Sequence, residues 1–282
     1  MRKYLTYFLM GLLVVGLTLL TQVGGVVWLL SFGAFHLLQR NWKTDIWLHR
    51  WVRWVAHSTI FFLFYAGVTF WLVPAVAQSW FGKVKLPDIG ENPHLRPANS
   101  LTAWLNRNYV LPELRDLALK TSEEFGQTFA GATVTYLEGS FPFGNYAMLP
   151  HLTHRGKQLD IAFCYTDAKT GRPVNDIPST SGYGVFEDPK IGETNTCDFC
   201  KKENQKYDLA KYLTFGSHAD DLKFDLARTR SLCVLFIKKN TIGKVLIEPH
   251  LEQRLGLASF GKVRFHGCQA VRHDDHFHIE IY

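Results

Sequence analysis

The sequence predicts an α+β chain, in which a mainly antiparallel sheet with flanking helices follows two or three transmembrane helices. Two long uncharged runs fall within the first 81 of the 282 residues. Several later segments alternate apolar and polar residues, as half-buried strands do. Helical and strand segments then mix without the regular βα alternation that builds a parallel sheet.

The uncharged runs extend from Tyr4 to about Leu38 and from about Val55 to Phe81. Each exceeds the roughly 20 apolar residues that cross a bilayer. As one helix, the first run of about 35 residues would measure roughly 52 Å against a hydrocarbon core of about 30 Å. The stretch 21–25, Thr-Gln-Val-Gly-Gly, is therefore a candidate turn between two short spans. A cleaved signal peptide is an alternative for the first run, although no clear Ala-x-Ala site follows it.

Basic residues give the predicted orientation. Those between the two runs mark a cytoplasmic loop: Arg40, Lys43, Arg50 and Arg53. Residues 1–81 can form two spans or three. Either number places everything after Phe81 on the outer side of the membrane. The lipid bilayer is thus one expected partner. Nucleic acid is not expected, because part of the net charge of +6 comes from this loop and no basic patch interleaved with aromatics follows.

The segment 82–99 is rich in Pro, Gly and charge and predicts a linker, so that residues 100–282 form an exported domain. Apolar residues at helical spacing predict helices over 100–108, 112–129, 225–238 and 250–257. Alternation predicts strands over 132–140, 159–167 and the last residues, and 244–249 is a short apolar strand. The polar, Gly/Pro-rich stretch 168–206 predicts a surface excursion.

Five cysteines lie in the predicted exported domain: Cys164, Cys197, Cys200, Cys233 and Cys268. This placement indicates an oxidising compartment with one or two disulfides. The close pair Cys197-Asp-Phe-Cys200 favours a local disulfide or two separate bridges over a zinc knuckle, because no second Cys-x-x-Cys follows. No βαβ pattern surrounds it, which argues against a thioredoxin-type redox site. The pairing stays open.

The last strand, within "RHDDHFHIEIY", has one apolar face and one histidine face. Phe277, Ile279 and Ile281 point one way, while His276 and His278 point the other. Two imidazoles on one face can converge on an ion, or one can bind it while the other handles protons. A solvated His-rich segment is the alternative.

A second histidine group, "PHLTHRGKQLDIAF", repeats the pattern. His151 and His154 precede a strand whose apolar residues face one way and whose Asp160 faces the other. Two such strands in one sheet can bring His154, Asp160 and His278 together. Two histidines and a carboxylate leave one position open, as a catalytic zinc site requires.

These two stretches, "HLTHRGKQLDIAF" and "HDDHFHIEI", resemble the penicillin-insensitive murein endopeptidases. That family belongs to the lysostaphin and D-Ala-D-Ala metallopeptidase group, which has the hedgehog/DD-peptidase fold. The resemblance covers roughly residues 131–282. One departure stands out, because five residues separate His154 from Asp160 where the family usually has six. The shorter loop leaves His151 as an alternative ligand in place of His154.

The resemblance implies three ligands for one Zn²⁺ ion: His154, Asp160 and His278. It also implies that His276 handles protons beside the metal. His151 and His273 would position substrate or orient the ligands.

The resemblance further implies a membrane-anchored, zinc-dependent endopeptidase that hydrolyses peptide cross-links of peptidoglycan, with stem peptides as substrate. Its location would be the bacterial inner (cytoplasmic) membrane, with the C-terminal domain on the periplasmic side. The alternatives are a D,D-carboxypeptidase of the same fold, a non-catalytic wall-binding or signalling domain, and a membrane scaffold that acts through its spans. The sequence makes no prediction of oligomeric state.

Overall fold

The computed structural model describes residues 2–39, 49–144, 155–204 and 206–282, and combines helices with sheets. Four helices precede the first strand: α1 (Arg2–Thr21), α2 (Gly24–Gln39), α3 (His49–Gly67) and α4 (Val73–Phe81). By length and composition, Tyr4–Thr21 and Trp51–Phe81 can each cross a bilayer, and Gly24–Leu38 is a shorter apolar helix.

The predicted turn at 21–25 is confirmed. Helix α1 ends at Thr21, Gln22 takes a left-handed conformation with φ 63°, and α2 begins at Gly24. A Cβ atom on Gly25 would lie 2.1 Å from Thr18 Oγ1 and 2.4 Å from the Val14 carbonyl oxygen. Only glycine therefore lets the two helices approach this closely.

Helices α3 and α4 are continuous through a π-helical turn, Val68–Leu72. The amide of Val73 donates to the carbonyl of Val68, five residues earlier. The following residue is Pro74, which has no amide hydrogen and whose ring clashes with the preceding turn of a regular α-helix. The widened turn is a known way to keep such a helix continuous.

The rest of the chain alternates short strands and helices. The strands are β1 (Val84–Lys85), β2 (Leu95–Pro97), β3 (Tyr109–Val110), β4 (Val134–Tyr136), β5 (Gln158–Ala162), β6 (Tyr165–Asp167), β7 (Pro173–Val174), β8 (Leu222–Phe224), β9 (Ile242–Leu246), β10 (Val263–Arg264) and β11 (His276–Ile281). The helices are α5 (Leu101–Trp104), α6 (Pro112–Thr128), α7 (Cys197–Glu203), α8 (Leu226–Ile237) and α9 (Pro249–Arg254).

The largest sheet has the strand order β10-β9-β11-β5-β4-β2. Strand β11 is antiparallel to both of its neighbours, β5 and β9, and β4 is antiparallel to β5. The outer pairs, β10 with β9 and β2 with β4, are parallel. Smaller sheets join β1 with β3 and order β7-β6-β8.

The apolar faces of the central strands belong to one core. Phe277, Ile279 and Ile281 of β11 and Leu159 and Ile161 of β5 are buried there, as the alternation predicts. Helices α6 and α8 contribute to the same core through apolar residues at helical spacing, among them Leu114, Phe125, Leu232 and Phe236. His276 and His278 therefore project from the opposite side of β11.

The structure corrects the prediction that residues 82–99 form a linker. This segment supplies β1 and β2, and β2 pairs with β4 in the largest sheet. Leu86 and Leu95 are fully buried in the main core. The Pro, Gly and charged residues that indicated a linker form turns between these two anchored leucines, so the folded domain begins before residue 100.

Replacing Leu95 by Ala should lower the free energy of unfolding by about 2–5 kcal/mol, because it opens a cavity in a filled core. Thermal unfolding of the purified full chain in detergent measures the change. The matched control is Leu101→Ala, since Leu101 is exposed on α5 and a surface change there should stay within about 0.5 kcal/mol. Equal stability of the two variants would contradict the burial of β2.

Two further expectations are corrected. The strand expected over 159–167 is two strands in different sheets, β5 and β6, separated at Phe163 and Cys164. The cysteine pair 197/200 forms no local disulfide: Cys200 is bonded to Cys268, and Cys197 is a buried thiol. This bridge ties α7 to the segment just before β11.

The domain docks against the apolar helices through specific polar contacts. The side-chain amide of Gln22 donates to the Phe143 carbonyl at 2.9 Å and accepts from the Phe143 amide at 3.0 Å. Asn106 Nδ2 donates to the Thr21 carbonyl at 3.1 Å. Lys83 is buried, and its ammonium donates to the Phe141 carbonyl at 2.7 Å. Burial lowers the pKa of Lys83 to about 8.

Candidate functional site

The two central strands bring a carboxylate and an imidazole into contact. Asp160 of β5 lies directly opposite His278 of β11 in the antiparallel register. The Asp160 Oδ1 atom is 2.6 Å from His278 Nδ1, and both side chains are almost fully buried. Residues that are 118 positions apart in the chain thus meet on the polar side of the sheet.

His276 completes the group from the same strand. Its Nε2 atom lies 3.7 Å from Asp160 Oδ1, and its Nδ1 atom lies 2.5 Å from Asp275 Oδ1. Burial alone would lower the pKa of His276, but the nearby Asp275 and Asp160 carboxylates raise it to about 9. Asp275 therefore fixes the ring so that Nε2 faces the carboxylate of Asp160, which is the orientation of a general acid or base.

The surface excursion supplies a tyrosine to this group. Tyr183 donates its hydroxyl hydrogen to Asp160 Oδ2 at 2.7 Å, and its ring meets the His276 ring edge-on at 5.1 Å between centroids. The neighbouring Gly184 amide donates to Asp275 Oδ2 at 2.6 Å. The stretch 168–206 therefore packs over the site through residues 183–184, a contact that its polar composition alone did not predict.

His273 extends the histidine cluster. Its ring centroid lies 5.0 Å from that of His276 and 6.0 Å from that of His278, while the exposed His266 lies 5.1 Å away on its other side. Burial, together with the nearby His276 and His278, lowers the pKa of His273 well below its usual value. The ring is therefore neutral, and it can donate one hydrogen bond and accept another.

A buried ion-pair network holds the turn that precedes β11. The Arg272 guanidinium binds Asp274 through two nitrogens and also contacts Asp188 at 2.6 Å and Asp208 at 3.0 Å. The guanidinium also stacks over the Phe186 ring at 3.9 Å. This network fixes residues 272–275, and hence the positions of His273 and Asp275.

A tight turn leads the chain into β5. Arg155 and Gly156 both have positive φ, 44° and 79°. A Cβ atom on Gly156 would lie 3.0 Å from the Leu111 amide nitrogen, and the Gly156 carbonyl accepts a hydrogen bond from that same amide. Glycine is therefore required just before the strand that carries Asp160. His151 and His154 lie outside the described residues.

Of the six predicted site residues, the structure brings together four: Asp160, His273, His276 and His278. Sequence reasoning missed Tyr183, whose sequence neighbours gave no periodic signal. It also missed a second polar cluster, formed by Cys197, Glu248 and His250. The potential ligand atoms of these three side chains all lie within 4.8 Å of one another. His250 is completely buried there.

The donor set of the first group fits a divalent metal. Asp160 and His278 offer a carboxylate oxygen and an imidazole nitrogen that already face each other, which is the chemistry of zinc ligands. His276 stands beside them with one nitrogen held by Asp275. Two side chains that could bind a metal and a third imidazole thus lie close together in the buried part of the sheet.

No protein-family model matches this chain, and no curated protein matches it at a significant level.

Proposed function

We propose that the protein is a membrane-anchored, zinc-dependent endopeptidase that hydrolyses peptide cross-links of peptidoglycan. One observation carries the proposal: on the polar face of two neighbouring strands, Asp160 is hydrogen-bonded to His278 at 2.6 Å, and His276, held by Asp275, points its Nε2 atom at Asp160 from 3.7 Å. The sequence resemblance assigns these same positions to a metal ligand pair and its acid–base partner. His154 is proposed as the third ligand, with His151 as the alternative.

The fold supports the same proposal. We infer a hedgehog/DD-peptidase-like core built from the antiparallel strands β9, β11, β5 and β4. In this arrangement the apolar face of the sheet is covered by α6 and α8, and the polar face is left for the site.

In the proposed reaction, Asp160 and His278 would hold the ion, which would supply Lewis-acid polarisation of the scissile carbonyl. The positive charge of the ion would offset the Asp160 carboxylate that raises the pKa of His276. His276 Nε2 would then accept a proton from the attacking water and return it to the leaving amine. Asp275 keeps the proton of His276 Nδ1 in place throughout, so that only Nε2 exchanges protons with the reactants. Tyr183 donates to Asp160 Oδ2 and would hold this carboxylate with Oδ1 towards His278.

The membrane placement is proposed from the exposure of the apolar helices. Only 6% of the residues of Tyr4–Thr21 are buried, and only 22% of those in the apolar 18-residue window of Trp51–Phe81. A helix of this composition inside a soluble core would be mostly buried. Lipid is the environment that satisfies such surfaces. We therefore propose the bacterial inner membrane as the location, with the domain on its periplasmic side.

The test is digestion of cross-linked muropeptides by the purified full chain in detergent micelles. We expect conversion of dimers to monomers, loss of this activity after chelation, and its return with added zinc. A β-lactam should not inhibit, because no serine nucleophile takes part. Release of terminal D-Ala from monomers, without cleavage of dimers, would identify a carboxypeptidase. Binding to wall sacculi without any product would identify a non-catalytic domain.

A further inference from the structure

The second polar cluster, Cys197, Glu248 and His250, is separate from the Asp160–His278 pair. All three side chains are at most 1% exposed. They come from two places in the fold: Cys197 begins α7, while Glu248 directly precedes α9 and His250 lies in the first turn of that helix. A thiol, a carboxylate and an imidazole are thus gathered in one buried volume with their ligand atoms within 4.8 Å of one another.

The histidine of this cluster has the hydrogen-bond pattern of a metal ligand. His250 Nε2 lies 2.8 Å from the Glu187 carbonyl oxygen, which can only accept, so Nε2 carries the ring hydrogen. Its Nδ1 atom is then unprotonated and carries a lone pair. Among the described residues, this atom has no hydrogen-bond partner. Metal-bound histidines typically donate their other N–H to a carbonyl or carboxylate in this way.

The other two members also lack a compensating cation of their own. Glu248 accepts from the His273 amide at 3.2 Å and from the Thr196 hydroxyl at 3.3 Å, both uncharged donors. The Cys197 thiol donates a weak hydrogen bond to Asp274 Oδ2 at 3.8 Å, so a cation would be needed only once this thiol is ionised. Arg272, the nearby cation, is bound to Asp274, Asp188 and Asp208. Burying such groups together is costly without a positive charge between them.

We propose that Cys197, Glu248 and His250 Nδ1 bind a structural Zn²⁺ ion, distinct from the proposed catalytic one. Sulfur, nitrogen and oxygen donors together select zinc over hard cations such as Mg²⁺ and Ca²⁺. Ligand atoms around one tetrahedral zinc lie roughly 3.3–3.8 Å apart. Small movements of the three side chains would therefore bring their ligand atoms to these separations around one ion.

The site would fix the turn that carries the candidate active site. Glu248 accepts the backbone hydrogen bond of His273, and His250 Nε2 lies 3.6 Å from Asp274. Cys197 is one helical turn from Cys200, whose disulfide to Cys268 anchors the same region. An ion at Cys197 also protects this thiol from exchange with the neighbouring disulfide.

The experiment uses Co²⁺ exchanged into the full chain in detergent, because a thiolate ligand gives a near-ultraviolet charge-transfer band. We expect this band in the wild type and its loss in Cys197→Ser. The matched control is Cys164→Ser, which removes the half-buried thiol of Cys164 and should retain the band. We expect Asp160→Asn to retain the band too, which separates this site from the proposed catalytic one.

Elemental analysis gives the second readout, with one zinc per chain lost in Cys197→Ser and in His250→Gln. X-ray absorption at the zinc edge should show one sulfur neighbour in the wild type. The proposal is overturned if the wild type shows neither the band nor the sulfur neighbour, or if both persist in Cys197→Ser. A peptide map with Cys197 in a disulfide also overturns it. None of these outcomes depends on peptidase activity.

Discussion

His276→Ala should lower kcat for cleavage of muropeptide dimers by about 10²–10⁴-fold, the usual contribution of a general acid–base group, and leave the zinc content unchanged. Its Nε2 atom faces Asp160 at 3.7 Å, while Asp275 holds Nδ1. The ring is therefore placed to move protons, whereas Asp160 and His278 are the proposed metal ligands. Steady-state kinetics and elemental analysis of the same preparation test both parts.

His94→Ala is the matched control, because His94 lies beside β2 at the far edge of the sheet and contacts the region of Gly126. It should retain full activity. Loss of zinc from His276→Ala would show that His276 is a ligand and that the roles of the two histidines of β11 are exchanged. Full activity of His276→Ala would remove it from the mechanism.

Asp160→Asn should abolish the activity through loss of the ion. The amide keeps the size of the side chain and a hydrogen-bonding oxygen opposite His278, so the strands stay paired. It removes the negative charge that would balance the cation. The loss of zinc affinity should exceed the about 10–100-fold typical of residues that only orient ligands. Zinc titration of the metal-depleted protein, followed by activity, measures it.

The control for this charge removal is Asp220→Asn, since Asp220 is exposed in a short turn before β8. Its zinc affinity and activity should equal those of the wild type. Partial recovery of Asp160→Asn at high zinc would agree with a weakened site. Unchanged zinc affinity at low zinc would instead exclude Asp160 as a ligand.

The sequence predicted those parts of the fold whose signal is local. Alternation predicted β11 and its apolar face, and helical spacing predicted α6 over 112–129, which the structure has as Pro112–Thr128. It also predicted α8 to within one residue at each end. The pairing of Asp160 with His278 followed from assuming that their strands are neighbours, and the register agrees with it.

The remaining features depend on contacts between distant segments, which a local pattern does not contain. Leu86 and Leu95 lie among turn-forming residues, and only the sheet shows that they are buried. Cys200 has a close sequence neighbour in Cys197, yet its partner is Cys268, 68 residues away. Tyr183 reaches Asp160 from the middle of a polar excursion.

The docking of the domain on the apolar helices has a mechanical consequence. The paired hydrogen bonds of Gln22 with Phe143 and the hydrogen bond from Asn106 to Thr21 restrict movement of the domain relative to the apolar helices. Under the proposed placement, the candidate site stands at one fixed height above the lipid headgroups. Under the proposed function, only wall bonds at that height would reach it, so the spacing of the cell envelope would regulate turnover without any change in the protein.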